Sequence, residues 1–244
     1  MKQGIILAFM LLGITLKAFA QHQIQVMSYN VRHCAGMDLV VDYDRTAAVI
    51  TQQHPDVVAL QELDSMTTRS GQHDQLGELA NHTQYYPVFG GAIDFDGGKY
   101  GVGILTREIP QNTRCIPLPG EEPRVLLVVE LQNYVIACTH LDLDEEQRMA
   151  SVPLIVEEAQ RWQKPFILAG DWNDVPDSEL IKAMTKYFTI HSSDKATYPA
   201  DTPTECIDYI ASFNHQPAEA LDSHVINEPA ASDHRPIVAR LQLR

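Results

Sequence analysis

Short apolar runs bounded by polar residues recur along the chain, at residues 24–30 (IQVMSYN), 56–62 (DVVALQE), 101–107 (GVGILTR), 125–131 (VLLVVEL), 134–140 (YVIACTH), 165–173 (PFILAGDWN), 206–212 (CIDYIAS) and 236–243 (PIVARLQL). Each has the length and the aliphatic content of a buried or half-buried β-strand. Helical periodicity occupies residues 43–54, 74–82, 145–162 and 178–187, with Asp177 placed to cap the last. The two longest helices each lead into a strand, so the chain reads as an α/β protein with a large sheet content. Strands in hairpin-like succession, over 107–118 and 125–140, disfavour a purely parallel doubly wound sheet. Two mixed sheets packed face to face, with helices outside, fit better. Glycine and proline mark expected loops at 89–101 (FGGAIDFDGGKYG) and 117–123 (PLPGEEP).

The first residues stand apart from this pattern. An early lysine, an apolar run and the small-x-small sequence Ala18-Phe19-Ala20 read as a signal peptide over residues 1–20, cleaved before Gln21. The run is short for a bilayer span of about 20 residues, and Lys17 interrupts its end. Glutamine, not cysteine, follows the cleavage point, which argues against a lipid anchor there. Residues 21–244 contain no repeat, low-complexity tract or linker, and their length suits one exported domain with a substantial core.

Charge then narrows the partners. Removing Lys2 and Lys17 from the 18 basic residues leaves 16 against 32 acids, a formal charge of −16 for the mature chain. Such a field opposes long-range capture of polyanions and disfavours indiscriminate duplex binding. No stable nucleic-acid complex is expected, and the chain is read as a monomer. The cysteines Cys34, Cys115, Cys138 and Cys206 match no zinc spacing. Cys138, inside an apolar run, is expected to be a small buried thiol.

Polar residues able to do chemistry stand at or just beyond the ends of the apolar runs: Asn30, Glu62, His140, Asp171 with Asn173, Asp208, and the pair Asp233-His234. Strand ends are where α/β sites are built. Glu62 after VVALQ would emerge at the rim of a buried strand and suit a hard divalent cation, magnesium being the natural candidate and manganese an alternative. Asp171 and Asn173 in GDWN can converge on a water, one accepting its proton and the other orienting it. Asp208 and Asp233 offer carboxylates for an imidazole such as His234, whose charged form would neutralise a pentacoordinate phosphate.

The motifs MSYNVR, VALQELD, YGVGILTR, CTHLD, LAGDWND, ECIDYI and ASDHRPI, in this order from Ile24 almost to the C-terminus, resemble the endonuclease/exonuclease/phosphatase (DNase I-like) superfamily. The resemblance implies a four-layer α/β/β/α sandwich of two mixed sheets flanked by helices. It also implies that Asn30 and Glu62 form the metal-site pair, with Asp233 near the metal. Asp171 and Asn173 would position the nucleophilic water, Asp208 would partner the catalytic His234, and His140 would be the second phosphate-binding histidine. Tyr100 is expected near the phosphate. Of Arg69, Arg124 and Arg148, Arg69 is the preferred substrate contact, because it follows the metal-ligand strand by a short loop. Abasic-site endonucleases carry an acid where this chain has Arg32, and that departure, with His140, points away from their branch.

The expected activity is metal-dependent hydrolysis of a non-nucleic phosphoester, such as a lipid or sugar phosphate. A secreted nuclease that scavenges phosphate is the rival within catalysis. A binding protein that has lost activity is the rival outside it.

Overall fold

The computed structural model describes residues 22–243. The expected signal peptide and its cleavage point lie outside these residues. Two six-stranded sheets face each other. The first runs in the order β11 (Ala218–Val225), β12 (Ile237–Leu243), β1 (His22–Asn30), β2 (Val57–Ser65), β4 (Gly98–Thr106), β3 (Tyr86–Phe95). The second runs β5 (Asn112–Leu118), β6 (Arg124–Glu130), β7 (Val135–His140), β8 (Phe166–Asp171), β10 (Asp208–Phe213), β9 (Phe188–Ile190).

Among the described residues only β1–β2 and β7–β8 pair in parallel. A parallel pair needs a crossover, and α1 (Tyr43–Gln53) and α3 (Glu145–Gln160) supply the two. With α2 (Gln75–Thr83) and α4 (Glu179–Met184) they form the outer layers.

Alternation along the strands sorts the core into three. Val26, Ala59, Ile136, Cys138, Ile167, Ala169 and Ile210 belong to the apolar layer between the sheets. Met27, Val58, Leu60 and Leu63 face α1 and α2, whereas Ala137, Leu168 and Ala211 face α3 and α4. This is the expected α/β/β/α sandwich of two mixed sheets.

Three local expectations change. The glycine-rich stretch 89–101 is mostly strand: β3 and β4 pair up to Phe95↔Gly98. Asp96 and Gly97, with φ of 46° and 83°, make the two-residue turn typical of tight hairpins. Gly101 lies so close to its neighbour that a Cβ there would stand 2.1 Å from the Gly90 carbonyl oxygen. The cap of α4 is Ser178 rather than Asp177, because the Ser178 hydroxyl accepts from the Ile181 N–H. Strand β11 was not foreseen, since its largely exposed edge position removes the apolar signal. All four cysteines are free, and Cys138 is buried as expected.

Candidate active site

The parallel and antiparallel registers bring distant residues into one rung. His140 on β7 pairs with Asp171 on β8, and Asp171 with Asp208 on β10. All three share parity with the residues between the sheets, so their side chains meet at the open rim of the sandwich. The close approach of β8 to β7 requires Gly170, because a Cβ there would sit 2.0 Å from the Thr139 carbonyl oxygen. From the other sheet Asn30, last residue of β1, reaches the same rim. Its Nδ2 donates to Glu62 Oε1 at 2.9 Å and to Asp171 Oδ2 at 3.1 Å. The Ser232 hydroxyl donates to the Asn30 carbonyl at 2.7 Å, tying the loop that carries Asp233 and His234 to the end of β1.

Glu62 is not at the end of its strand. Strand β2 continues to Ser65, and the pairing with β4 shifts register between Leu60 and Leu63. Strict alternation from Leu60 would aim Glu62 toward the helices. A β-bulge, with Glu62 in the left-handed region at φ 60°, turns it to the rim instead. Burial raises its pKa above the ordinary carboxyl value, with Asp233 and Asp171 adding and the Asn30 hydrogen bond and His234 opposing.

His234 is held between two acids. Its Nδ1 lies 3.0 Å from Asp208 Oδ2, and its Nε2 lies 3.7 Å from Asp171 Oδ2. Burial works against its charged form, but Asp208, Asp171 and Asp233 outweigh that and lift its pKa to about 10. His140, 3.5 Å from Asp171 through Nε2, goes the other way. Burial lowers its pKa to about 4 against the pull of Asp171, with Arg124 and His234 adding to the fall. At neutral pH one histidine is therefore a cation and the other a neutral donor or acceptor.

Asn173, at φ 53°, closes the turn after β8: its N–H donates to Asp171 Oδ1 at 2.9 Å and its Nδ2 to the Leu141 carbonyl at 2.8 Å.

A cavity of about 420 Å³ lies over this rim, and Glu62, Tyr100, His140, Asp171, Asn173, Asp233 and His234 all line it. The expected residues thus converge, except Asn30 and Asp208, which support the lining from beneath. Arg69 is placed differently. It forks onto buried Asp64, at 2.6 and 2.8 Å, and lines an adjoining groove. The arginine in the main cavity is Arg124, braced by Glu122 at 3.1 Å and Asp142 at 3.5 Å. Arg148 is tied to Asp174 and to two backbone carbonyls.

Residue patterns also gave no sign of Thr197, whose hydroxyl donates to Asp208 Oδ2 at 2.5 Å, or of Tyr198, whose ring centre is 4.8 Å from that of His234. Both sit in a polar stretch with no periodicity to mark it.

The profile of the Endonuclease/Exonuclease/phosphatase family matches residues 27–234. The chain belongs to the endonuclease/exonuclease/phosphatase family. Solved members and neighbours share its fold. A Beutenbergia cavernae endonuclease/exonuclease/phosphatase is 24% identical, with 91% of this chain and 72% of that one covered at a TM-score of 0.76. A Bacteroides vulgatus member is 17% identical over 92% of this chain and 100% of that one, TM-score 0.78. A Bacteroides thetaiotaomicron mannosyl-6-phosphatase is 17% identical over 89% and 99%, TM-score 0.75. No curated protein matches the sequence.

The donor set of this family member can be tested against a divalent cation. Asp171, Asp208 and His234 place ligand atoms within 4.8 Å of one another. However, Asp208 Oδ2 already accepts from Thr197 and faces His234 Nδ1, so that cluster is a carboxylate–imidazole–carboxylate array. Glu62 is better placed. It is a half-buried carboxylate that accepts from the neutral amide of Asn30, and it shares the cavity with Asp233 and Asp171. Asp233 and Asp171 both push the Glu62 pKa up, and carboxylates gathered in this way, all offering oxygen, fit a hard cation.

Proposed function

We propose that this protein is an exported hydrolase of non-nucleic phosphoesters that depends on a divalent cation, magnesium or manganese. The reading rests above all on one observation: the Asp171–His234–Asp208 array opens into the same cavity as the Glu62 carboxylate. Asn30, Glu62 and Asp233 would hold the ion. When bound, it would supply positive charge against phosphoryl oxygens and the departing alkoxide.

The chain's own groups divide the remaining work. Asp171, fixed by Asn30 and the Asn173 N–H, lines the cavity and can accept the proton of an attacking water. Asn173 fixes the turn beside it. His234, held charged by Asp208, donates from Nε2 toward the phosphoryl group, where negative charge grows in the transition state. His140, neutral, can donate a second hydrogen bond, and Arg124 adds a braced cation on the wall. The phosphatase named among its structural neighbours is consistent with this chemistry. Among the described residues no helix is long and apolar enough to cross a membrane. The proposed export is checked by N-terminal sequencing, where Gln21 should be the first residue.

The deciding experiment is turnover of bis-p-nitrophenyl phosphate and p-nitrophenyl phosphate after chelation, with magnesium or manganese added back. Restored hydrolysis of either ester is expected. Full activity in excess chelator would sink the metal assignment.

A further inference from the structure

Beside the catalytic cavity runs a groove of about 220 Å³ lined by Arg32, His33, Glu62, Arg69, Ile93, Phe95, Tyr100, Glu122 and Asp233. It shares Glu62, Tyr100 and Asp233 with the cavity but not Asp171 or Asn173. The groove therefore leaves the site on the side away from the residues that would hold the attacking water. In an in-line displacement the water oxygen bonds to phosphorus as the opposite P–O bond breaks, and the alcohol departs with that electron pair and takes up a proton. We propose that this groove is the leaving-group subsite and that it selects phosphate esters of neutral polyhydroxylated alcohols, the sugar or cyclitol class. The proposal rests on the hydrolase reading above.

The lining decides the class. Arg32, His33 and Cys34 all occupy the left-handed region, at φ 46°, 44° and 59°, a conformation that side-chain-bearing residues avoid. The turn is bolted in place. The Arg32 N–H donates to Asn30 Oδ1 at 3.1 Å, and buried Gln75 donates to the His33 carbonyl at 2.7 Å. This turn delivers Arg32 to the groove, where its Nε lies 3.4 Å from Asp233.

Across the groove the Arg69 guanidinium lies 4.6 Å from the ring centre of Phe95 and 5.6 Å from that of Tyr100. Donors and acceptors thus alternate around a small aromatic patch. A second anionic group would meet Glu122, while both arginines already face acids, Arg69 with Asp64 and Arg32 with Asp233. A wholly apolar group would strip water from these charges without replacing it. A nucleobase would find one face of Phe95 taken by Arg69. Hydroxyl groups, which both donate and accept, can bond Arg32 and Glu122 together.

The test compares kcat/KM for a hexose 6-phosphate and for p-nitrophenyl phosphate in wild type, Arg32→Gln and Phe95→Ser, with magnesium fixed and folding checked by circular dichroism. The hexose-to-aryl ratio should fall at least ten-fold in each variant. A ratio within about three-fold of wild type in both would overturn the subsite. So would a wild-type enzyme that prefers a lysophosphatidate or a dinucleotide to the hexose ester. If wild type hydrolyses none of these esters, the hydrolase reading falls, and calorimetric binding of the hexose 6-phosphate in magnesium decides the groove alone. Binding weakened ten-fold by either variant would retain the groove, and no binding by wild type would overturn it.

Discussion

Single side chains at this site are defined by what surrounds them more than by what they are. His140 and His234 both face Asp171, yet one is driven neutral and the other charged, because only His234 has a second acid, Asp208, on its other nitrogen. His234→Ala and Asp171→Asn should each lower kcat about 100-fold or more with little change in KM, as expected for groups that act mainly in the transition state. Adding Asp208→Asn to His234→Ala should cost little more than the worse single change, and additive losses in steady-state kinetics would break the pair.

Glu62 makes a separate prediction. Burial raises the Glu62 pKa, and a carboxyl whose folded pKa lies above its unfolded value weakens the fold progressively as pH rises past the unfolded pKa. In chelator at pH 7, Glu62→Gln should therefore melt at or above the wild-type Tm, with the gap closing as pH falls. Magnesium should raise the Tm of wild type and not of the variant. Calorimetric scans with and without the ion check this, and an equal magnesium shift in the variant would remove Glu62 from the donor set.

At the scale of elements, the site depends on how closely strands approach and where one of them slips. Strands β7 and β8 carry His140 and Asp171 in register only because Gly170 leaves room for the Thr139 carbonyl. Gly170→Ala should destabilise the fold by about 3 kcal/mol in urea unfolding, the upper part of the range for an overpacked core, and should depress turnover beyond that effect. A variant as stable and active as wild type would show that the two strands can separate freely. The β2 bulge has the comparable role in the other sheet, since without it Glu62 would point among Val58, Leu60 and Leu63.

Across the whole molecule, charge and architecture pull in different directions. The formal charge of the full chain is −14, which repels nucleic acid at range, while the shared fold is one that includes nucleases by name. With a substrate carrying one or two phosphates, kcat/KM should depend weakly on ionic strength, whereas a protein neutralising several phosphates loses affinity steeply as salt rises. Initial rates on hexose phosphate and on single- and double-stranded DNA, at two salt concentrations and fixed magnesium, separate the two. DNA cleavage that exceeds every small phosphoester at low salt would favour the nuclease.

Short apolar runs with polar punctuation locate most strands, because burial on both faces leaves that signature, and they put Asn30, His140, Asp171 and Asp208 at strand ends and His234 just ahead of one. Ordered motifs carried the family as well. What lay beyond reach was set by contacts between distant segments. Alternation along β2 misplaces Glu62, and only the slipped pairing with β4 reverses it. Arg69 and Arg124 look alike as isolated basic residues, and the structure separates them because Asp64 claims the first while Glu122 and Asp142 brace the second at the cavity. Thr197 and Tyr198 reach the Asp208–His234 pair from a stretch without periodicity. Local pattern encodes which face a residue takes; which faces meet is decided by register, bulges and the packing of one sheet on the other.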